Sequence, residues 1–360
     1  MLLFIALANS HYFLRGSSVL GGYPQDGSNL DSAVTWMIAT FVDGRAFPMF
    51  GLLFGYGVAQ IARRHDVLGP PGVRRLLRRR GLVLIVVGFA HGMLLYVGDI
   101  LAAYGVLLFL GVRAVRWKDR WLMVAASVFL VLGALPVASL AISREPPDAL
   151  LLPPDLITML SSRLEVQPYI MLLAPIGFAG PLLVGLWVGR RRILEQPATY
   201  RRLLTVTAAV GIGVAVLGAQ PVSLMLAGAT GVPDDGTLHM VAALHDATGV
   251  LGGFGYAALI ALLATRLEGR DSRVVDALAA TGQRSMTCYL AQSVVWTLAF
   301  APFLLDLSGT LTVAGTALMA TMTWVVTVLL ADWMRRAGNR GPFEVLVRRV
   351  TYGRGRVAAR

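Results

Sequence analysis

Long apolar stretches alternate with clusters of arginine along this chain, and a cluster follows every second stretch. No other feature constrains the fold as much, because short loops rich in Lys and Arg resist passage across a membrane and collect on one side of it. Arg63, Arg64, Arg74, Arg75, Arg78, Arg79 and Arg80 form the first cluster, and Arg113, Arg116, Lys118 and Arg120 the second. Arg190, Arg191, Arg192, Arg201 and Arg202 follow, then Arg266, Arg270, Arg273 and Arg284, and finally the arginines between Arg335 and Arg360. Of the 32 Lys and Arg residues, only Arg15, Arg45, Arg144 and Arg163 fall elsewhere. His11, His91, His239 and His245 lie toward the opposite ends of the stretches.

The stretches run at about 1–14, 37–62, 81–97, 99–115, 121–141, 168–189, 203–228, 244–265, 285–305 and 312–334, and most are long enough to cross about 30 Å of hydrocarbon as helices. With 56% hydrophobic and 14% charged residues and a mean hydropathy of +0.67, the 360-residue chain has too little polar surface to enclose a water-soluble core. The expected fold is all-α: a polytopic transmembrane helical bundle of about ten helices over 1–334, with both termini inside and a basic cytoplasmic tail over 335–360. This pattern places the protein in a membrane, in contact with membrane lipids. The net charge of +12 therefore reads as positive-inside loops that touch anionic headgroups, and no nucleic-acid partner is expected. Cys288, the one cysteine, excludes an intramolecular disulfide. The first stretch begins at Met1 with no basic residue ahead of it, so it lacks the n-region of a signal peptide and reads as a helix shortened at its start.

Glycines within the stretches, such as Gly51 with Gly55 and Gly249 with Gly253, have the spacing that brings membrane helices close together. No HExxH, CxxC, GxSxG or phosphate-binding loop is present, so no metal is expected and any chemistry must be assembled from separate helices.

Ionisable groups within or beside membrane helices are costly unless they face a polar interior, so each is a functional candidate. Asn9 and His11 end the first stretch, Asp43 and Arg45 open the second, His91 lies in the third, Asp99 and Tyr104 begin the fourth, and His245 with Asp246 begin the eighth. With a tight turn around Gly98, His91 is expected roughly 9 Å below the turn and within reach of Asp99. An Asp beside a His fixes its tautomer and raises its basicity, as a general base requires, although the same pair can serve packing alone. Asp43 and Arg45, two residues apart, do not share a helix face. They read as partners of different groups across the bundle or as an irregular entry to the helix, most simply in a structural ion pair. His239, His245 and Asp246 fit solvent-facing positions or a helix cap.

Four strings resemble signatures of the DUF418/YeiB family of bacterial membrane proteins. Gly44-Arg45-Ala46-Phe47-Pro48-Met49-Phe50-Gly51-Leu52-Leu53-Phe54-Gly55-Tyr56-Gly57 resembles its (K/R)FxxxFSxLFGxG segment, and His91-Gly92 followed by Gly98-Asp99-Ile100-Leu101-Ala102-Ala103-Tyr104 its H…GDILxxY hairpin. Gly282 through Ser293 is similar to its GRMALTNYLxQS motif, with Cys288 in place of the usual Asn, and Gly341 through Gly353 to its terminal GPLEWLWRxLTYG. The resemblance implies an architecture similar to membrane acyltransferases that move an acyl group from cytosolic acyl-CoA to an extracytoplasmic acceptor. On that reading acyl-CoA is the donor, His91 and Asp99 are catalytic, and Asp43, Arg45, Tyr104, Asn9 and Gln292 bind substrate. The alternative is a transporter or flippase of an amphipathic or lipid-linked solute that uses the same groups as a proton relay or pathway contacts, and a noncatalytic membrane scaffold is a third.

Overall fold

The computed structural model describes residues 1–134, 140–267, 269 and 272–352. Arg270 of the fourth basic cluster and residues 353–360 of the basic tail lie outside the described residues. Thirteen α-helices make up almost all of the regular structure among them. The chain opens with α1 (Leu2–Ser10), a short antiparallel ribbon of β1 (Val19–Leu20) and β2 (Tyr23–Pro24), α2 (Asn29–Phe41) and α3 (Ala46–Arg64). It continues with α4 (Gly69–Leu94), α5 (Leu101–Leu110), α6 (Asp119–Gly133), α7 (Leu156–Arg190), α8 (Arg201–Leu226) and α9 (Asp235–Leu267). The last four helices are α10 (Arg273–Gln283), α11 (Ser285–Phe300), α12 (Val313–Arg336) and α13 (Pro342–Tyr352).

Helix starts are set by side chains that satisfy the exposed N–H groups of a first turn. Ser28 and Asp31 form a reciprocal capping box on α2, Asp155 accepts from the amides of Ile157 and Thr158 at α7, and Ser272 and Thr312 cap α10 and α12. Asp31 also accepts from the Ala314 amide at 2.8 Å, so one carboxylate joins the starts of α2 and α12. Three prolines, Pro168, Pro175 and Pro181, lie inside α7, which remains helical through all of them.

Five segments are long and apolar enough to cross a membrane: Asn29–Arg64, Leu156–Arg190, Arg201–Leu226, Asp235–Leu267 and Val313–Arg336. Their outward faces are apolar, as lipid requires. On α12, Leu318, Met322, Val326 and Leu329 follow helical spacing and are each more than half exposed. The other apolar stretches form shorter or mixed helices. The 10 residues of α5 and 15 of α6 reach about 15 and 22 Å at 1.5 Å per residue, and the first third of α4 is rich in arginine.

The glycines bring backbones into direct contact. A Cβ at Gly51 would stand 2.9 Å from Pro181 Cβ, and Cβ atoms at Gly55 and Gly185 would overlap the carbonyl oxygens of Leu182 and Leu52. These contacts lock α3 to α7. On the other side of α3, Gly249 and Gly253 of α9 fit against the backbone of Gly44 and Arg45. Gly57, two residues beyond Gly55 and so on another face of α3, meets nothing within 4 Å. Gly55→Val is therefore expected to cost about 1–3 kcal/mol by overpacking, seen as a lower midpoint of thermal unfolding in detergent, while Gly57→Ala leaves the midpoint unchanged.

Candidate functional site

Two groups of buried polar side chains occupy the histidine-bearing end of the bundle. The first is the His91–Asp99 pair. His91 lies three residues before the end of α4, and the chain from Leu95 to Ile100 is an extended connection, longer than a tight turn around Gly98. His91 is thus nearer the helix end than the expected 9 Å, because α4 stops early. His91 Nδ1 lies 2.8 Å from Asp99 Oδ1, and both side chains are 1% exposed. A carboxylate accepts, so Nδ1 carries the proton, and in the neutral imidazole Nε2 keeps its lone pair. Among the described residues Nε2 has no partner. Asp99 Oδ2 accepts from the Ala102 amide at 2.6 Å and so caps the first turn of α5. Gly88 makes this approach feasible, since a Cβ there would stand 2.5 Å from Asp99 Oδ2.

The Tyr289 ring of α11 lies 5.1 Å from the His91 ring. Its hydroxyl is buried without a partner, as are the Gln292 amide atoms one turn along the same helix and Gln167 Oε1. Gln167 donates to Val97 O at 2.9 Å and sits against Gly92. Buried polar atoms are normally satisfied, so these unpaired groups on α4, α7 and α11 are candidates for contact with another polar molecule.

The second group surrounds the α2–α3 break. Within the segment Asn29–Arg64 the helix unwinds at Val42–Arg45, with Gly44 at φ +74°, which confirms the irregular entry as one of the two expected arrangements. Arg45 is fully buried. It donates to Ala215 O at 2.8 Å, to Ala39 O at 3.3 Å and to the Asp43 backbone carbonyl. His245 Nε2 lies 2.9 Å from Arg45 Nη1 and 3.2 Å from Ala39 O, and its Nδ1 lies 3.2 Å from Asp246 Oδ1. Neither Asp43 nor Arg45 forms the expected structural ion pair among the described residues. The Asp43 carboxylate accepts from Tyr23 OH at 2.7 Å, and its other oxygen is unpaired. His245 is buried at 2% exposure, not solvent-facing, because α9 starts nine residues earlier than the apolar stretch indicates. His239 is exposed.

His11 stacks on Tyr23 with ring centroids 3.8 Å apart, and neither of its ring nitrogens has a partner. Asn9 accepts from Tyr96 OH at 3.1 Å, on the connection that carries Asp99. Tyr104 stands apart from both groups. Its ring packs among Phe50, Phe54 and Phe178, and its hydroxyl reaches only Phe47 O at 3.5 Å. Sequence patterning placed neither Tyr289 nor Tyr23 in the site; a tyrosine inside an apolar run resembles ordinary interfacial packing.

The opposite end carries the arginines, around adjoining cavities. One, of about 530 Å³, lies between α3, α4 and α7 and is lined by Arg63, Arg74, Arg113, Arg116 and Arg190. Another, of about 1180 Å³, is lined by Arg64, Arg80, Arg284, Arg340 and Arg348. Both of the C-terminal family-like strings meet there. Glu344 of α13 accepts from the amides of Met286 (2.8 Å) and Thr287 (3.1 Å) and from the Thr287 hydroxyl, while Arg284 donates to Asn339 O. Among the described residues no group of three or more His, Cys, Asp and Glu side chains is placed to hold a metal.

Residues 188–354 match the model of a family described as Protein of unknown function (DUF418). The match takes in α8 through α13, with Tyr289, Gln292 and Glu344, and leaves the His91–Asp99 pair outside it. Over 385 aligned residues the chain is 24% identical to the uncharacterized protein YxaH of Bacillus subtilis (strain 168), covering 98% of this chain and 90% of that one. No solved structure matches. Through residues 188–354 this membrane-associated helical protein is similar to the DUF418 family.

Proposed function

We propose that the protein is a membrane acyltransferase in which His91, held by Asp99, is the general base. The observation that carries the reading is the enclosed His91–Asp99 pair with a lone-pair nitrogen that nothing else uses. In this reaction the acceptor hydroxyl or amine gives its proton to His91 Nε2 as its oxygen or nitrogen bonds to the thioester carbonyl carbon. The C–S bond then breaks, and the departing thiolate takes the proton back from the imidazolium. Asp99 remains a carboxylate throughout and stabilises the transient cation. The unpaired hydroxyl of Tyr289, whose ring lies 5.1 Å from that of His91, and the Gln292 amide one turn along α11 are the candidate donors for the developing oxyanion, a role for which Arg45 is poorly suited because its guanidinium is already engaged.

His91→Ala is expected to lower CoA release from acetyl-CoA, with periplasmic or lipid-linked acceptors, by about 10²–10⁴. Asp99→Asn is the sharper variant. Its amide oxygen can still accept from Ala102 and keep the start of α5, so a loss of about a hundredfold at unchanged thermal stability isolates the effect on His91. Full turnover in either variant overturns the mechanism.

A transporter or flippase reading is favoured by a different feature, the unwound Val42–Arg45 inside a membrane-long segment, since broken helices commonly mark solute sites. It requires that Asp43→Asn abolish movement of an amphipathic solute in proteoliposomes while CoA release is unaffected.

Both readings use the same topology: ten spans, both termini inside, the arginine end in the cytoplasm of a bacterial inner membrane and the histidine end outside. It is supported by the grouping of arginines from all five basic clusters around neighbouring cavities. Cys288 is fully buried and gives a quiet background for labelling. Asp235→Cys is expected to react with an impermeant maleimide on intact cells, and Arg340→Cys only after permeabilisation; the reverse result overturns the orientation.

A further inference from the structure

The two larger arginine-lined cavities differ in how their charge is balanced. Around the 530 Å³ cavity three arginines have carboxylate partners: Arg63 with Glu195 at 2.6 Å, Arg116 with Asp66 at 3.4 Å and Arg190 with Asp119 at 3.2 Å. Around the 1180 Å³ cavity none of the five arginines forms an ion pair among the described residues. Its single carboxylate, Glu344, is committed to the start of α11. Arg284 is bound only to backbone carbonyls, and Arg348 Nε is buried without a partner. Cations gathered in a concave space without counter-charges repel one another and are costly to desolvate, unless an anion of matching charge completes them.

The cavity's position supplies a second constraint. Ser285 and Met286 line it, and Tyr289 stands one turn deeper on α11, about 4.5 Å further along the axis. Its ring contacts the His91 ring. Arg80 and His91 share α4, eleven residues or about 16 Å apart. A ligand with its charge among the arginines thus needs a slender, weakly polar arm to reach the histidine.

We infer that the 1180 Å³ cavity binds the polyphosphate group of an amphipathic phosphoester through Arg64, Arg80, Arg340 and Arg348, and that Tyr289 lies on the path of its arm toward His91. The inference rests on the acyl-transfer reading only for the arm's destination. Two sources carry this chemistry: a nucleotide thioester of the CoA type and a membrane lipid diphosphate.

Thermal unfolding and equilibrium binding of the purified full-length chain in nanodiscs separate these sources, with free CoA and inorganic pyrophosphate as soluble probes and undecaprenyl diphosphate as the lipid probe. At least one is expected to raise the unfolding midpoint, with an affinity that falls as salt rises. CoA acting alone assigns the nucleotide source, and the lipid acting alone assigns the lipid diphosphate. Arg80→Gln combined with Arg348→Gln is expected to weaken that probe about tenfold or more, whereas Arg74→Gln with Arg113→Gln in the smaller cavity leaves it unchanged. Should the first pair fail to fold, Arg64→Gln with Arg340→Gln, both exposed, reports the same loss. No response to any probe, or equal weakening by the Arg74 and Arg113 variants, overturns the inference. Arginine-dependent binding in a protein that transfers no acyl group leaves the cavity assignment standing and counts against the catalytic reading. His91-dependent transfer with an unaltered KM for acyl-CoA in the Arg64 and Arg340 variants does the opposite.

Discussion

A guanidinium enclosed by helices needs acceptors for its N–H groups, and much of the histidine-end architecture follows from how Arg45 finds them for its two terminal nitrogens, while its Nε has no partner among the described residues. The carbonyls it uses come from α2, the α2–α3 break and α8, and its aromatic partner from α9. A continuous α2–α3 helix would spend the carbonyls of Ala39 and Asp43 on its own ladder. Unwinding at Val42–Arg45, with Gly44 in the left-handed region, releases them for the side chain. Gly252 then gives the Arg45 side chain room, with a would-be Cβ only 3.0 Å from Arg45 Cγ. Removing one partner from such a buried set leaves an uncompensated charge, which is far more damaging than loss of an exposed pair.

What the sequence reveals and what it hides follow from the same physics. Hydropathy and the positive-inside pattern depend on each residue's own transfer energy, so the apolar stretches and basic clusters are visible one residue at a time. Small-residue spacing is nearly as local, and Gly51, Gly55, Gly249 and Gly253 all lie in tight interfaces. His91 with Asp99 was legible because both sit in one hairpin. Arg45 with His245 was not, since two hundred residues separate them and nothing in either apolar run records which helix lies opposite. Helix ends were the least visible: α9 extends past its apolar stretch through a polar start, and α4 ends ahead of Gly98.

The two ends of the bundle solve opposite problems. At the histidine end polar groups are buried and few, and each is held by one or two specific partners or left conspicuously unpaired. At the arginine end charge is abundant and water-accessible, and specificity arises from which arginines are already paired. Glu344 is the hinge between these regimes. By taking the amides at the start of α11 it neutralises a helix terminus beside the large cavity, and it ties α13 to the helix that carries Tyr289 and Gln292. A structural carboxylate thereby fixes where the free hydroxyl beside His91 can be.

That coupling gives the C-terminal segment a role beyond a basic tail. Its helix α13 packs on α4 and α11, the two elements that present His91 and Tyr289 to each other. A displacement of α13 would free the start of α11, and the Tyr289 ring would shift relative to a histidine whose own position is fixed separately by Asp99 and Gly88. The geometry at the buried pair is therefore set from both ends of the bundle: orientation of the base comes from the α4–α5 hairpin, and placement of the neighbouring donors from the contact between α13 and α11.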